Sequence, residues 1–292
     1  MIEIKIIKAL HGSTGEFEMS FRYLFPSNQV TAIYGPSGSG KTTLLRMIAG
    51  LTRPDSGFIR CGKETWFDHS AGIFVAAGKR KIAYVSQEIS LFPNMDVREN
   101  IGFAVRDKKI RKRRVNEAIE MLDLGQLASK KPSSLSGGQQ QRVALGRTLA
   151  LDSEIMLLDE PFSAMDTPLR QNICLHLKKR FAESPATVLL VSHSIPEVLS
   201  LATGVVKLED GKVSGTGHPL DILGNGMDAS GNFVAEIAVI ENADGIPRVK
   251  ALFGGSLIDL FPDPEILPRL HAGLKVKLHR GNIQRNISLF SD

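Results

Sequence analysis

The octapeptide Gly35-Pro36-Ser37-Gly38-Ser39-Gly40-Lys41-Thr42 constrains this chain more than any other stretch. It follows Val30 to Tyr34, which read as a short buried strand, and runs into Thr42 to Ala49, which read as a helix with Leu44, Leu45 and Ile48 inward. The octapeptide matches G-x-x-x-x-G-K-[ST] in full, so its glycines let successive N–H groups turn inward on phosphate oxygens. Lys41 adds a cation for the terminal phosphates, and Thr42 a hydroxyl for Mg²⁺. A helix N-terminus behind such a loop adds its partial positive charge to the anion site. Strand, loop and helix in this order predict an α/β fold with a nucleotide at the end of a parallel sheet.

A second strand end supports that reading. Ile155-Met156-Leu157-Leu158 is a continuous apolar run closed by Asp159-Glu160. An unbroken apolar run is how a central parallel strand covered on both faces reads. Acids at its carboxyl end emerge where open α/β sheets bind ligands. Asp159 suits a Mg²⁺ shell and Glu160 suits polarising a water.

The charge balance narrows the possible partners. Lys and Arg number 36 against 31 Asp and Glu, a net +5. Residues 106–114 alone carry seven positive charges and one negative, whereas residues 231–292 are balanced at seven and seven. The surplus is one local run leading into an amphipathic helix with Val115, Ala118, Ile119 and Leu122 on one face. It reads as a solvated helix start, or as a surface for anionic lipid headgroups, and gives no general case for nucleic acid. Cys61 and Cys174 are far apart and lack metal-site spacing. No apolar run is long enough to cross a bilayer, and Met1 to Ile6 alternate as a first strand does instead of forming a signal segment, so any membrane role is expected to be peripheral.

Along the chain, residues 1–86 read as strands around the loop and first helix, ending in Lys81 to Val85. Residues 87–151 read as helical, with a capping-box start at Asp96-Val97-Arg98-Glu99. Alternation resumes with a helix from Pro168 to Phe181, a strand from Thr187 to Val191, a helix after Ser194, and a hairpin turning at Glu209-Asp210-Gly211. The glycine-rich stretch Gly224 to Gly231 reads as a linker between a first domain, 1–226, and a second, 231–292. The second contains five strand-like runs: Phe233 to Ile240, Val249 to Phe253, Ser256 to Leu260, Leu274 to Leu278 and Asn286 to Phe290. Five short strands in so few residues predict a small OB-like β-barrel.

The phosphate loop, then Gln87, Leu135-Ser136-Gly137-Gly138-Gln139, Asp159-Glu160, Ser163-Ala164-Met165-Asp166 and His193, together resemble the ordered motif set of the ATP-binding cassette family. The resemblance implies an ATPase that binds ATP through Gly35, Pro36, Ser37, Gly38, Ser39, Gly40, Lys41, Thr42 and Thr43. It implies Mg²⁺ held near Thr42, Gln87 and Asp159, and catalysis by Glu160, His193 and Gln87. It further implies a head-to-tail homodimer in which Leu135, Ser136, Gly137, Gly138 and Gln139 close on the partner's ATP, with Asp166 in the dimer-contact loop. Residues 87–151 match the family's helical subdomain, whose exposed Leu91-Phe92-Pro93 would meet a short cytoplasmic helix of a membrane permease subunit or pack within the subdomain. One departure concerns the adenine platform. His11 to Glu16 offer no tyrosine or tryptophan, and Phe17 is the nearest ring.

Gly50 to Gly57, Leu91-Phe92-Pro93 with Val97 to Asn100, and Val191 to Ser194 with Glu197-Val198-Leu199 are similar to the ATPase subunits of molybdate importers. That resemblance implies oxyanion uptake, of molybdate and possibly tungstate, from a periplasmic binding protein through the permease, with this chain at the cytoplasmic face of the membrane. It also implies a C-terminal barrel of the TOBE or molybdenum-binding type that could take an oxyanion. Gly231 to Glu236, however, lack the Ser-Ala-Arg-Asn-like turn such barrels carry. The same motifs also suit sulfate, iron, polyamine or sugar importers. A nucleic-acid ATPase fits less well, because the coiled-coil insertion or second cassette of such proteins is missing from this sequence.

Overall fold

A computed structural model describes residues 1–12, 15–151, 153–183, 186–223, 233–243, 246–253, 256–278 and 287–289. The chain divides into two compact units, Met1–His193 with Leu201–Thr216, and Ser194–Ser200 with Gly217–Asp292. The proposed linker Gly224 to Gly231 and the turn residues Gly231 and Asn232 lie outside the described residues, as do Ser13 and Thr14.

The first unit opens with β1 (Ile2–Gly12) paired antiparallel with β2 (Gly15–Phe25). The expected alternation holds: Ile2, Ile4 and Ile6 are buried while Glu3 and Lys5 face water. After β3 (Val30–Tyr34) and α1 (Lys41–Ala49) come β4 (Ser56–Cys61), β5 (Glu64–Asp68) and β6 (Ile73–Phe74). These complete an antiparallel sheet ordered β2-β1-β4-β5-β6. Next are β7 (Ala83–Val85), α2 (Val97–Gly102), α3 (Lys108–Met121) and α4 (Gly137–Leu151). Then follow β8 (Ile155–Asp159), α5 (Thr167–Glu183), β9 (Thr187–Val191), β10 (Gly204–Glu209) and β11 (Lys212–Gly217), while α6 (Ile195–Leu201), between β9 and β10 in the chain, belongs to the second unit up to Ser200.

The second sheet is ordered β11-β10-β3-β9-β8-β7, with parallel pairing from β10 through β7. Its central strands are largely apolar because each face has its own core. Met156, Leu158, Val188 and Leu190 pack with residues of α2 to α5, such as Ile101, Val115, Val143 and Ile173. Leu157, Leu189, Val191 and Val206 pack with α1 and the antiparallel sheet. The β10–β11 hairpin turns on Asp210 and Gly211, both at positive φ (46° and 72°), the backbone that a two-residue hairpin requires.

The helical segment is built as its sequence predicts. Asp96 accepts from the Glu99 N–H at 2.7 Å, and Glu99 accepts from the Asp96 N–H at 2.9 Å. Val115, Ala118, Ile119 and Leu122 are buried. The basic run opens α3 behind an Asp107 cap that accepts from the Lys109 N–H, a carboxylate offsetting cations that would otherwise oppose the helix dipole. Leu91 turns partly into the core, whereas Phe92 and Pro93 are exposed.

In the second unit, α7 (Pro219–Leu223) precedes β12 (Phe233–Ala243), β13 (Ile246–Phe253), β14 (Ser256–Leu260), β15 (Lys275–Leu278) and β16 (Ile287–Leu289). They form one antiparallel sheet ordered β14-β13-β12-β15-β16. Phe233, Ala235, Val249, Ala251, Phe253, Ile258 and Val276 are buried, while Leu252 and Leu257, cross-strand partners, are exposed.

Candidate functional site

β3 ends in the phosphate loop, and the loop's shape is fixed from behind. A Cβ on Gly35 would lie 2.0 Å from the Leu208 carbonyl oxygen, so β10 packs where only glycine fits. Gly38 and Gly40 sit at φ 81° and 95°, left-handed values that suit glycine. Lys41 curls under the loop, its Nζ donating to the Gly35 and Pro36 carbonyls at 2.9 and 2.7 Å. Burial pulls the Lys41 pKa down, while Glu160 and Asp159 push it back up. The Ser39 hydroxyl is buried without a hydrogen-bond partner, an orphan in the loop where a phosphate oxygen would satisfy it.

β8 delivers Asp159 to the same place. Asp159 is fully buried and accepts from Thr42 Oγ1 at 3.1 Å through Oδ1 and from the Tyr84 hydroxyl at 3.3 Å through Oδ2. Burial raises its pKa, and the hydrogen bonds from Thr42 and Tyr84 offset part of that rise. The Tyr84 phenol is raised too, by burial first and then by Asp159. Hard oxygen donors from Thr42 and Asp159 within hydrogen-bond distance of one another suit Mg²⁺, which prefers one or two carboxylates plus phosphate oxygens.

Glu160 leaves the strand at φ 47°, a left-handed backbone on a non-glycine residue. Its N–H donates to the Val191 carbonyl at 3.0 Å. His193, exposed just beyond β9, brings Nδ1 to 3.5 Å from Glu160 Oε1. The loop, Asp159, Glu160 and His193 therefore meet at the carboxyl ends of β3, β8 and β9. Gln87 is exposed just past β7, the strand adjoining β8.

The segment Leu135 to Gln139 is organised differently. Leu135 is 7% exposed and belongs to the core. Ser136 and Gln139 cap one another, the Ser136 N–H donating to Gln139 Oε1 at 3.0 Å and the Gln139 N–H to Ser136 Oγ at 3.4 Å. This reciprocal cap starts α4 at Gly137, so both glycines lie in the first turn. The two are not equivalent. A Cβ on Gly138 would sit 2.4 Å from the Ala164 carbonyl oxygen of the same chain, whereas one on Gly137 would meet nothing within 4 Å. Asp166 caps α5 by accepting from the Leu169 N–H at 3.0 Å, and remains exposed.

Three side chains around the site escaped sequence reasoning. Tyr84 reads in the sequence only as part of a strand. Gln141, 3% exposed, bonds to Glu160 and to the turn after it. Arg147 donates to the Ser90 carbonyl at 2.8 Å and lies over the Phe92 ring. The available signal was a polar residue on an otherwise buried helix face, which α4 shows at Gln141, Arg142 and Thr148.

Comparison with known proteins follows the same lines. A model of the ABC transporter family matches residues 20–163. The molybdenum import ATP-binding protein ModC of Pseudomonas syringae pv. tomato is 43% identical over 204 residues, covering 69% of this chain and 56% of that protein. Its counterpart in Brucella abortus is 36% identical over 282 residues, covering 96% of this chain and 78% of the other. The chain thus spans little more than half the length of the first of these relatives. Among solved structures, a dimeric bacterial ABC transporter cassette superposes with a TM-score of 0.66 at 29% identity, over 75% of this chain and 99% of the other. A dimeric post-hydrolysis cassette bound to ADP and Pi gives 0.65 at 29% identity, with the same two coverages.

Proposed function

Since this chain belongs to the ABC transporter family, we propose that it is the ATP-hydrolysing subunit of an importer, working as a homodimer. The observation that carries the reading is the meeting of Lys41, Thr42, Asp159, Glu160 and His193 at one end of the parallel sheet.

In this reading the loop amides, the N-terminus of α1 and Ser39 Oγ receive the phosphates of ATP. Lys41 exchanges two neutral carbonyls for charged phosphate oxygens, a stronger charge-assisted bond. Thr42, Asp159 and Gln87 would hold Mg²⁺, which when bound would neutralise phosphate charge. Glu160 accepts a proton from water as the water oxygen bonds to the γ-phosphorus and the bond from that phosphorus to the ADP oxygen breaks, giving ADP and phosphate. His193 orients Glu160 and holds a γ-phosphate oxygen. Ser136 and the amides at Gly137 and Gly138 serve the partner's ATP at the N-terminus of α4, with Asp166 at the dimer contact.

The transported ion is molybdate, and tungstate by the same chemistry, delivered by a periplasmic binding protein to a permease. Support comes from the two ModC relatives and from the importer-like local segments. Phe92 and Pro93, exposed after Gln87, form the permease contact at the cytoplasmic face of the membrane. No helix among the described residues is long and apolar enough to cross a membrane, which suits a peripheral subunit. Residues 1–226 form the ATPase domain. Residues 231–292 are assigned to a small TOBE-like domain, a reading supported by the five-stranded antiparallel sheet among its described residues. Uptake in cells lacking this chain tests the assignment: molybdate uptake is expected to fall and sulfate uptake to persist, and unchanged molybdate uptake would overturn it.

A further inference from the structure

Gln141 lies just after the Leu135 to Gln139 segment, on the helix that segment begins, and is 3% exposed. Its carboxamide is fully engaged. Nε2 donates to the Glu160 carbonyl at 2.9 Å and to Ser163 Oγ at 3.0 Å, while Oε1 accepts from the Ala164 N–H at 2.8 Å. An amide side chain has two N–H donors, and both are spent on the turn that follows β8. The Ser163 hydroxyl donates to the same Glu160 carbonyl at 3.1 Å.

That turn needs holding. A left-handed backbone at a non-glycine residue costs on the order of 1–3 kcal/mol and persists only where the surroundings enforce it. Glu160 is such a residue, and Gln141 is the side chain that binds its carbonyl from another element. A second point of union lies one turn earlier, where Gly138 approaches the Ala164 carbonyl too closely for any side chain. Helix α4 and the turn 160–166 are therefore joined at two points.

This union bears on function through the proposed dimer, and the inference rests on that reading. There α4 presents its first turn to the ATP of the partner, while Glu160 acts on the ATP of its own loop. We infer that Gln141 is a positioning residue that couples the two ATP sites: closure of α4 on the partner's nucleotide sets the Glu160 turn for hydrolysis at home. Coupling of this kind makes binding at each site favour binding at the other by the same factor.

The test compares the full-length chain with Gln141→Leu, which keeps volume and removes all three bonds, and with Gln141→Glu, which keeps an acceptor for the Ala164 N–H and loses both donors. ATP turnover is measured against ATP concentration, and single-subunit ATP affinity is measured at protein dilutions below dimerisation. The unaltered chain is expected to turn over ATP with a Hill coefficient above one. Both variants are expected to fall towards one and to lose kcat by roughly 100-fold, the scale of a small misplacement of a reacting group, with single-subunit affinity within about twofold of the parent. A purely structural role would lower stability and kcat and leave the Hill coefficient unmoved, which would overturn the coupling. If Gln141→Leu fails to fold, Gln141→Glu decides by the same readout. Cooperative turnover that survives in the variants overturns the coupling alone, whereas no turnover in the unaltered chain overturns the ATPase reading and the coupling with it.

Discussion

A buried carboxylate such as Asp159 is held at the expense of the fold. Burial raises its pKa above the unfolded value, and Thr42, Tyr84 and Lys41 offset only part of that effect. The folded chain thus binds this proton more tightly than the unfolded chain does. Its favourable contribution is complete below the unfolded pKa and is lost as pH rises through the folded one. At neutral pH the ionised group weighs against folding, so Asp159→Asn is expected to raise the melting temperature while abolishing ATP turnover. The stability gain should shrink as pH falls into the carboxylate range, and a gain that grew in acid would refute this account. The two glycines of the first α4 turn give a second test. Gly138→Ala drives a methyl group into the Ala164 carbonyl, a backbone atom that cannot swing aside, and should cost about 1–3 kcal/mol in denaturant melts. Gly137→Ala meets open space and should leave stability nearly unchanged while impairing ATP-driven dimerisation. Residue roles of this sort were only partly legible in the sequence. Lys41, Thr42, Asp159 and Glu160 announce themselves by spacing along one strand or loop. Gln141 and Tyr84 do not, because their partners lie on other strands and turns.

At the scale of elements, α1 shows how one helix is fixed at both ends. Its N-terminus opens out of the phosphate loop, and its C-terminus ends at Gly50, in the left-handed conformation usual for such caps. Beyond Gly50 the buried Arg80 guanidinium donates to the carbonyls of Met47, Ile48, Val75 and Trp66. Burial lowers the Arg80 pKa to about 10, which leaves it charged at neutral pH and complementary to the negative end of the helix dipole. Arg80→Ala would leave the Ile48 and Val75 carbonyls without this donor, while those of Met47 and Trp66 keep the Gly50 and Val75 N–H groups. At roughly 1–3 kcal/mol for a buried unsatisfied group, a loss of about 3 kcal/mol is expected in urea melts. A loss below about 1 kcal/mol would show that water replaces the guanidinium without difficulty. Element identity was readable where periodicity or capping was local, as in β3, β9 and the Asp96 box. The start of α4 is not legible, because two glycines argue against helix and only the Ser136–Gln139 cap overrides them.

At the scale of the molecule, the central claim is that one chain holds two halves of two different ATP sites. Lys41 and Glu160 stand together at the end of the parallel sheet, while Ser136 and Gly137 are exposed at the head of α4. The glycine-rich stretch suggests a boundary near residue 226, whereas the compact units divide at Gly217 and the second also takes Ser194–Ser200. The pairing order of the C-terminal strands is not legible, since short alternating runs do not specify their neighbours. Subunit mixing tests the claim most directly. Glu160→Gln lacks the base and Ser136→Arg blocks the α4 head, so each variant alone should be inactive though folded by circular dichroism. A heterodimer of the two would contain one doubly defective site and one intact site. Mixing equal amounts is therefore expected to raise ATP turnover above that of either variant alone, with roughly a quarter of the unaltered rate as the ceiling for random pairing in a symmetric dimer and a lower value because the blocked α4 head leaves Glu160 of its own chain poorly set. A mixture no more active than either variant alone would contradict the account.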